Sequence, residues 1–232
     1  MRWPLLQPPN AWRGFLADVA VVVIGVVLAL IAQEFAQSFQ WKADVAAQRG
    51  ALKAMAEDNL KVIAFRRFQK PCVQRRLGEI DTIFRLHHDN RPIRLRGPIG
   101  LPYKWGSDRS AWDIALSDAS LSHMPLAERR RFGNAVDVYD NAASLMNQEY
   151  AVWLRLQPLD HPELLGSEDW ALLRQAFGEA RALDARITGV VDEALTSNNL
   201  DLPPPTITQK DVPTEEEWGN AFCRPVIASE RK

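Results

Sequence analysis

One stretch of this chain limits its fate more than any other. Phe15 to Ala32 reads FLADVAVVVIGVVLALIA, eighteen residues with Asp18 as the sole charge. As a helix rising about 1.5 Å per residue it is about 27 Å long, close to the roughly 30 Å hydrocarbon core of a bilayer. Val and Ile lie on every face, so a small soluble domain has no means of covering all of it. A cleaved signal peptide has a shorter apolar region and ends in a small-x-small site. Leu30-Ile31-Ala32 places a branched residue where that site needs a small one. The expected element is a transmembrane helix over residues 14–36, behind a short tail, 1–13. Aromatic residues flank it, Trp12 and Phe15 at one end and Phe35, Phe39 and Trp41 at the other, as an interfacial belt requires. Gly25, Ala29 and Ala32 form a stripe of small residues along which two such helices can approach, so a homodimer through the span is a candidate assembly.

The 232 residues leave room for one further domain with a real core. With Arg2, Arg13, Asp18 and Glu34 set aside, the part from Ala36 onward carries a net charge of −1. That balance argues against nucleic acid as a partner. Positive charge is nearly even across the span: Arg2, Arg13 and the amino terminus precede it, and Lys42, Arg49 and Lys53 follow. Long domains cross regardless of charge, so the short tail weighs more. A cytoplasmic N-terminus and an extracytoplasmic, periplasmic domain are therefore expected. Cys72 and Cys223 lie too far apart for a Cys-x-x-Cys redox or zinc signature. In an oxidising compartment they are a candidate disulfide, which chain entropy alone values at about 5 kcal/mol if unstrained. In a reducing one they are two unrelated thiols.

The soluble part reads as all-α, with a long helix continuing from the membrane into an antiparallel helical bundle over residues 37–200. Leu52, Met55, Ala56, Leu60 and Ile63 form one stripe, in a helix expected to end near Gln69. Pro71 is expected to open or kink a second helix, striped by Val73, Leu77, Ile80 and Phe84. Residues 89–109 are rich in Pro, Gly and Arg and read as a loop. Ser110 is a plausible cap for a short helix whose face holds Trp112, Ala115, Leu116 and Ala119. Phe132, Val136, Tyr139, Ala143, Met146, Tyr150 and Trp153 keep a heptad rhythm suited to shallow-angle packing in a bundle. Ser167 is expected to cap a last helix lined by Leu173, Phe177, Ala180, Leu183, Ile187, Val190 and Ala194, ending at Asn198-Asn199. The tail, 201–232, holds Pro203-Pro204-Pro205 and Glu215-Glu216-Glu217, and Trp218, Phe222 and Cys223 suggest that it packs back on the bundle.

Chemistry-bearing residues are scattered. His87-His88 diverge on a helix and are better placed to favour its negative end than to share a metal; His123 and His161 are isolated. Asp113 and Glu149 lie on or beside apolar faces, either as an acid/base or metal pair or, more blandly, as buried partners of arginines. No nucleophile triad, phosphate-binding loop or dinucleotide fingerprint is present, so no catalytic, metal or cofactor residue is assigned and no cofactor is expected. Arg66, Arg67, Lys70, Arg75 and Arg76 are a candidate patch for an anionic partner. Smaller clusters follow at Arg91, Arg94 and Arg96 and at Arg129 to Arg131.

The run Asp18-Val-Ala-Val-Val-Val-Ile-Gly-Val-Val-Leu-Ala-Leu resembles the opening of a group of uncharacterised bacterial single-anchor membrane proteins. Trp112-Asp113-x-Ala115-Leu116 and Glu149-x-x-x-Trp153 are similar to that group as well. The resemblance spans about residues 12 to 200 and implies an anchor plus a helical domain, with no activity attached. The functional expectation is a non-enzymatic protein-interaction module of the cell envelope, its partner unknown. Two alternatives stay open. One is a ligand-binding or sensory domain with Trp105, Trp112, Tyr139 and Trp153 lining an apolar cavity between the helices. The other is an enzyme with an unrecognised site.

Overall fold

The computed structural model describes residues 10–104, 106–118, 120–196, 200–205, 207 and 222–227. Expectations placed on Arg2, the Arg13 side chain, Trp105, Ala119, Asn198, Asn199, Glu215 to Glu217 and Trp218 lie outside these residues.

The chain is all-α. Its helices are α1 (Asn10–His88), α2 (Ser110–Ser117), α3 (Leu126–Leu156) and α4 (Ser167–Thr196), with single 3₁₀ turns at Ser120–His123, Gln157–Asp160 and Pro162–Leu164. No strand occurs among the described residues; one isolated antiparallel bridge joins Leu95 to Ile227.

The separate second helix expected to open at Pro71 does not occur. α1 is a single helix of 79 residues with Pro71 inside it, about 120 Å long at 1.5 Å per residue. A proline there removes the hydrogen bond to the carbonyl of Arg67. Both residues are exposed, so that carbonyl can turn to water. The two expected stripes are one: Leu52, Met55, Ala56, Leu60, Ile63, Val73, Leu77, Ile80 and Phe84 are all buried. The apparent gap between Ile63 and Val73 is filled by Arg66 and Gln69, buried in the same register.

The ion pairs give the direction of each helix. Arg49 meets Glu128 and Arg66 meets Glu149, so α3 runs parallel to α1. Phe84 meets Trp170 and Arg66 meets Asp184, so α4 runs back toward the apolar segment. Between α1 and α2 the chain must descend the length of the bundle. Ile99 lies beside Arg76 and Asp108 beside Asn59. Nine connector residues thus cover seventeen residues of α1, about 25 Å, or about 2.8 Å each, close to full extension. That requirement explains why the described residues between Ile99 and Asp108 form no helix.

α3 buries the heptad stripe and more. Ala142, Leu145, Val152 and Leu156 widen it, whereas Tyr150 stays at its edge under the Lys104 ammonium. α4 buries Trp170, Ala176, Asp184 and Val191 in addition to most of the expected residues, and Val190 is only partly covered. Ser167 is the first helical residue rather than the cap. Asp169 instead accepts the Gly166 N–H at 2.8 Å, the return half of a capping box. At the start of α2, the Asp108 carboxylate accepts from the Ser110 N–H at 2.9 Å.

Candidate functional site

The structure separates the five basic residues expected to form a surface patch. Arg66 and Arg76 are in the interior, 2% and 1% exposed. They cannot meet an external anion, and the patch does not exist as a unit. Arg67 and Arg75 remain exposed and Lys70 is half-buried. Arg67 lies 3.8 Å from Asp192, and Arg75 donates to the Cys223 carbonyl.

Arg66 sits at the centre of the bundle. Its Nη2 donates to Glu149 Oε1 at 2.8 Å and to Asp184 Oδ1 at 3.0 Å, joining α1, α3 and α4 through one guanidinium. Desolvation of such ions costs several kcal/mol each, and mutual attraction offsets it only when the pairing is complete. Here two carboxylates share one cation. Burial pushes the Glu149 carboxyl above its ordinary range, and Arg66 opposes that rise. The Trp153 indole N–H stands by the same carboxylate, short of full hydrogen-bond geometry. Gln69, one turn along α1, is fully buried, and neither atom of its amide has a hydrogen-bond partner among the described residues.

Arg76 is held differently. Its Nη1 donates to the carbonyls of Pro98 and Ile99, and its Nη2 to those of Phe222 at 2.9 Å and Arg224 at 2.8 Å. Nε lies 3.0 Å from Glu79 Oε2, and Glu79 Oε1 accepts the Val226 N–H at 2.9 Å. Burial lowers the pKa of the guanidinium and the Glu79 charge counters it. One turn away, the Cys72 and Cys223 sulfurs lie at disulfide distance, 2.02 Å apart. Residues 72, 75, 76 and 79 therefore form one face of α1 that clasps both the connector and the C-terminal segment. Phe222 completes the clasp, packed edge-on against Trp153 with ring centroids 5.3 Å apart.

Of the aromatic residues expected to line a pocket, Tyr139, Trp153 and Trp112 lie within the described residues. Trp153 is fully buried in the core and Tyr139 nearly so, its phenol pushed by burial up to about 12. Trp112 packs on α3 at Gly133, where a Cβ would stand 3.4 Å from the indole. Among the described residues, clefts open on the surface. One of about 340 Å³ lies between α1 and α4 and is lined by Leu77, Asp81, Phe177, Arg181 and Asp184. Another, about 550 Å³, lies where the lower part of α1 meets the Ser120–His123 turn.

Asp113 and Glu149 do not form a pair. Asp113 is exposed and bound to Arg109 at 3.1 Å, whereas Glu149 is held by Arg66. His87 stacks on Trp170 at 3.8 Å and His123 on Trp41 at 3.7 Å. Among the described residues no group of three or more His, Cys, Asp or Glu side chains is placed to hold a metal ion. Gly25, Ala29 and Ala32 are exposed along the apolar segment, and nothing lies within 4 Å of a Cβ built at Gly25.

Sequence reasoning missed Asp184 and Gln69, and the inward roles of Arg66 and Arg76. A signal existed for Arg66, since it continues the register of Ile63 and Val73. Comparison with protein-family models, with curated proteins and with solved structures gave no match.

Proposed function

We propose that this protein is a membrane-anchored, non-enzymatic helical module that holds a protein-binding surface at a fixed height above a bilayer, most simply in the cell envelope. The observation that carries the reading is the continuity of α1. One helix contains both a segment long and apolar enough to span a membrane and the first helix of the bundle. From Val45 to His88 it rises about 65 Å, so a bundle built on it moves with the anchor as one body.

Further observations support the reading. The charged residues at the centre are occupied with one another, Arg66 with Glu149 and Asp184. The upper end carries exposed Leu164 and Leu172, 77% and 66% accessible, the kind of apolar residue a protein partner covers. The sulfurs of Cys72 and Cys223 favour an oxidising compartment and hence a domain outside the cytoplasm. Pairing of two chains along Gly25, Ala29 and Ala32 is compatible with this arrangement. The resemblance to bacterial single-anchor proteins points the same way.

The test is protease digestion of the C-terminally tagged chain in membranes of known sidedness. Loss of the tag from the outer face without detergent is the expected result. Protection until detergent is added would place the bundle in the cytoplasm and remove the envelope reading.

A further inference from the structure

The larger cleft lies at an informative height. Trp12 and Phe39 bracket the apolar segment at a separation of 27 residues, about 40 Å of helix, which matches the full thickness of a bilayer with its headgroups. Gln37 and Ser38, in the lower wall of the cleft, therefore fall within the headgroup layer if α1 is inserted, with Glu34 at its hydrocarbon edge and Trp41 at its outer edge. His123, which stacks on Trp41, and Pro125 complete the lining. A volume of about 550 Å³ lies in the range of pockets that hold small ligands.

The side chains suit a lipid phosphate. Side chains on a helix lean toward its N-terminus, which here means toward the bilayer. Lys42 does so: its ammonium sits 5.6 Å from the centroid of the Phe39 ring, one turn lower. No carboxylate pairs with Lys42 among the described residues, whereas Arg49 in the same cleft is taken by Glu128 at 2.6 and 2.7 Å. Lys42 is thus the cation left for a ligand. Trp41 and His123 stack at 3.7 Å and give the cleft a flat aromatic wall. Glu34 stands two turns closer to the span and gives the cleft both signs of charge, which a zwitterionic phospholipid satisfies as well as an anionic one. Leu126, beside Pro125, and Leu116 on α2 are 51% and 55% exposed at the same end of the bundle. They are placed to meet the apolar edge of the interface.

We propose that this cleft binds the phosphate group of a phospholipid from the leaflet beneath the bundle, with Lys42 as the donor and the Trp41–His123 stack as the wall. The bound lipid would fix the tilt of the bundle against the membrane surface. The proposal rests on α1 being inserted, so the experiment scores the two separately. The full chain is reconstituted into vesicles of phosphatidylethanolamine and phosphatidylglycerol and washed with alkaline carbonate. The embedded fraction is released in mild detergent, and native mass spectrometry counts retained lipids.

The wild type is expected to keep lipid. Lys42→Gln, which removes the cation, and Ser38→Trp, which fills the cleft, are each expected to lower retention at least fivefold. Lys53→Gln, exposed and outside the cleft, should leave it unchanged. Release by carbonate would overturn the anchor and the proposal with it. Unchanged retention in either cleft variant, or an equal loss in Lys53→Gln, would overturn the proposal and leave the anchor standing.

Discussion

The two halves of α1 share one backbone and obey opposite rules. From Val19 to Ala32 the helix is apolar on all sides and exposed all round, with Val21 70% and Leu28 61% accessible. From Val45 to Phe84 it is apolar on one stripe only, and that stripe holds Asn59, Arg66, Gln69 and Arg76 among its buried members. The difference shows what a helix must satisfy in each setting. In hydrocarbon the backbone is already paired and a charged side chain has nowhere to go. In a bundle a buried charge is tolerated when neighbouring helices bring partners to it. Arg66 and Arg76 show two ways of doing so, with carboxylates on two other helices and with carbonyls of two extended segments.

The comparison is broken most severely at Arg66. Arg66→Met leaves Glu149 and Asp184 buried together without a cation, at an expected cost of about 3–5 kcal/mol, measured by denaturant unfolding. Adding Glu149→Leu and Asp184→Leu should recover most of the loss. If the single substitution is neutral, the triad does not organise the bundle.

The converse change belongs in the other half. Val23→Arg places a charge near the middle of the apolar segment, at an expected cost of about 3 kcal/mol of insertion free energy. It should release the protein from membranes at alkaline pH while leaving bundle unfolding unaffected. Retention of Val23→Arg in the membrane would mean that this segment is not the anchor.

The clasp around Arg76 comes next. Cys223→Ser frees the C-terminal segment from α1 and should cost about 2–4 kcal/mol, with earlier proteolytic loss of the segment. No change in either would mean that Arg76 and Glu79 hold the segment unaided.

The smallest expected effect is a pH dependence. A carboxyl raised by burial, as Glu149 is, holds its proton better in the folded state. Its contribution is complete below the unfolded pKa and is lost as pH rises through the folded one. Stability should therefore decline above the ordinary carboxylate range, and Glu149→Gln should flatten that decline. Glu128 acts in the opposite sense. Its hydrogen bond to Arg49 lowers its pKa, so its contribution is lost on acidification and survives in Glu149→Gln.

Most of the architecture was legible in the sequence because apolar spacing reports burial directly. The stripes of α1, α3 and α4 and the apolar segment are of this kind. What escaped was the polar part of the core. Arg66 and Gln69 interrupt an apolar stripe, and with Pro71 nearby the interruption reads as a helix end. The same two residues prove to be buried members of the stripe. Arg66 and Arg76 also stand among exposed Arg67 and Arg75 in sequence, so composition alone suggests a surface patch. Only the positions of α3, α4, the connector and the tail distinguish inward from outward. Asp184 follows the same logic, since one step from Leu183 on α4 decides whether it meets water or Arg66.

The most direct test of the central claim is a scan of single spin labels along α1 in lipid vesicles, read by accessibility to oxygen and to a water-soluble relaxing agent. The account predicts high oxygen accessibility from Phe15 to Ala32, peaking near Val23 and Ile24 with little helical rhythm. Beyond Val45 it predicts a rhythm of about 3.6 residues that continues through Pro71 to Phe84. Water accessibility across the apolar segment, or loss of the rhythm at Pro71, would contradict a single helix that leaves the bilayer and enters the bundle.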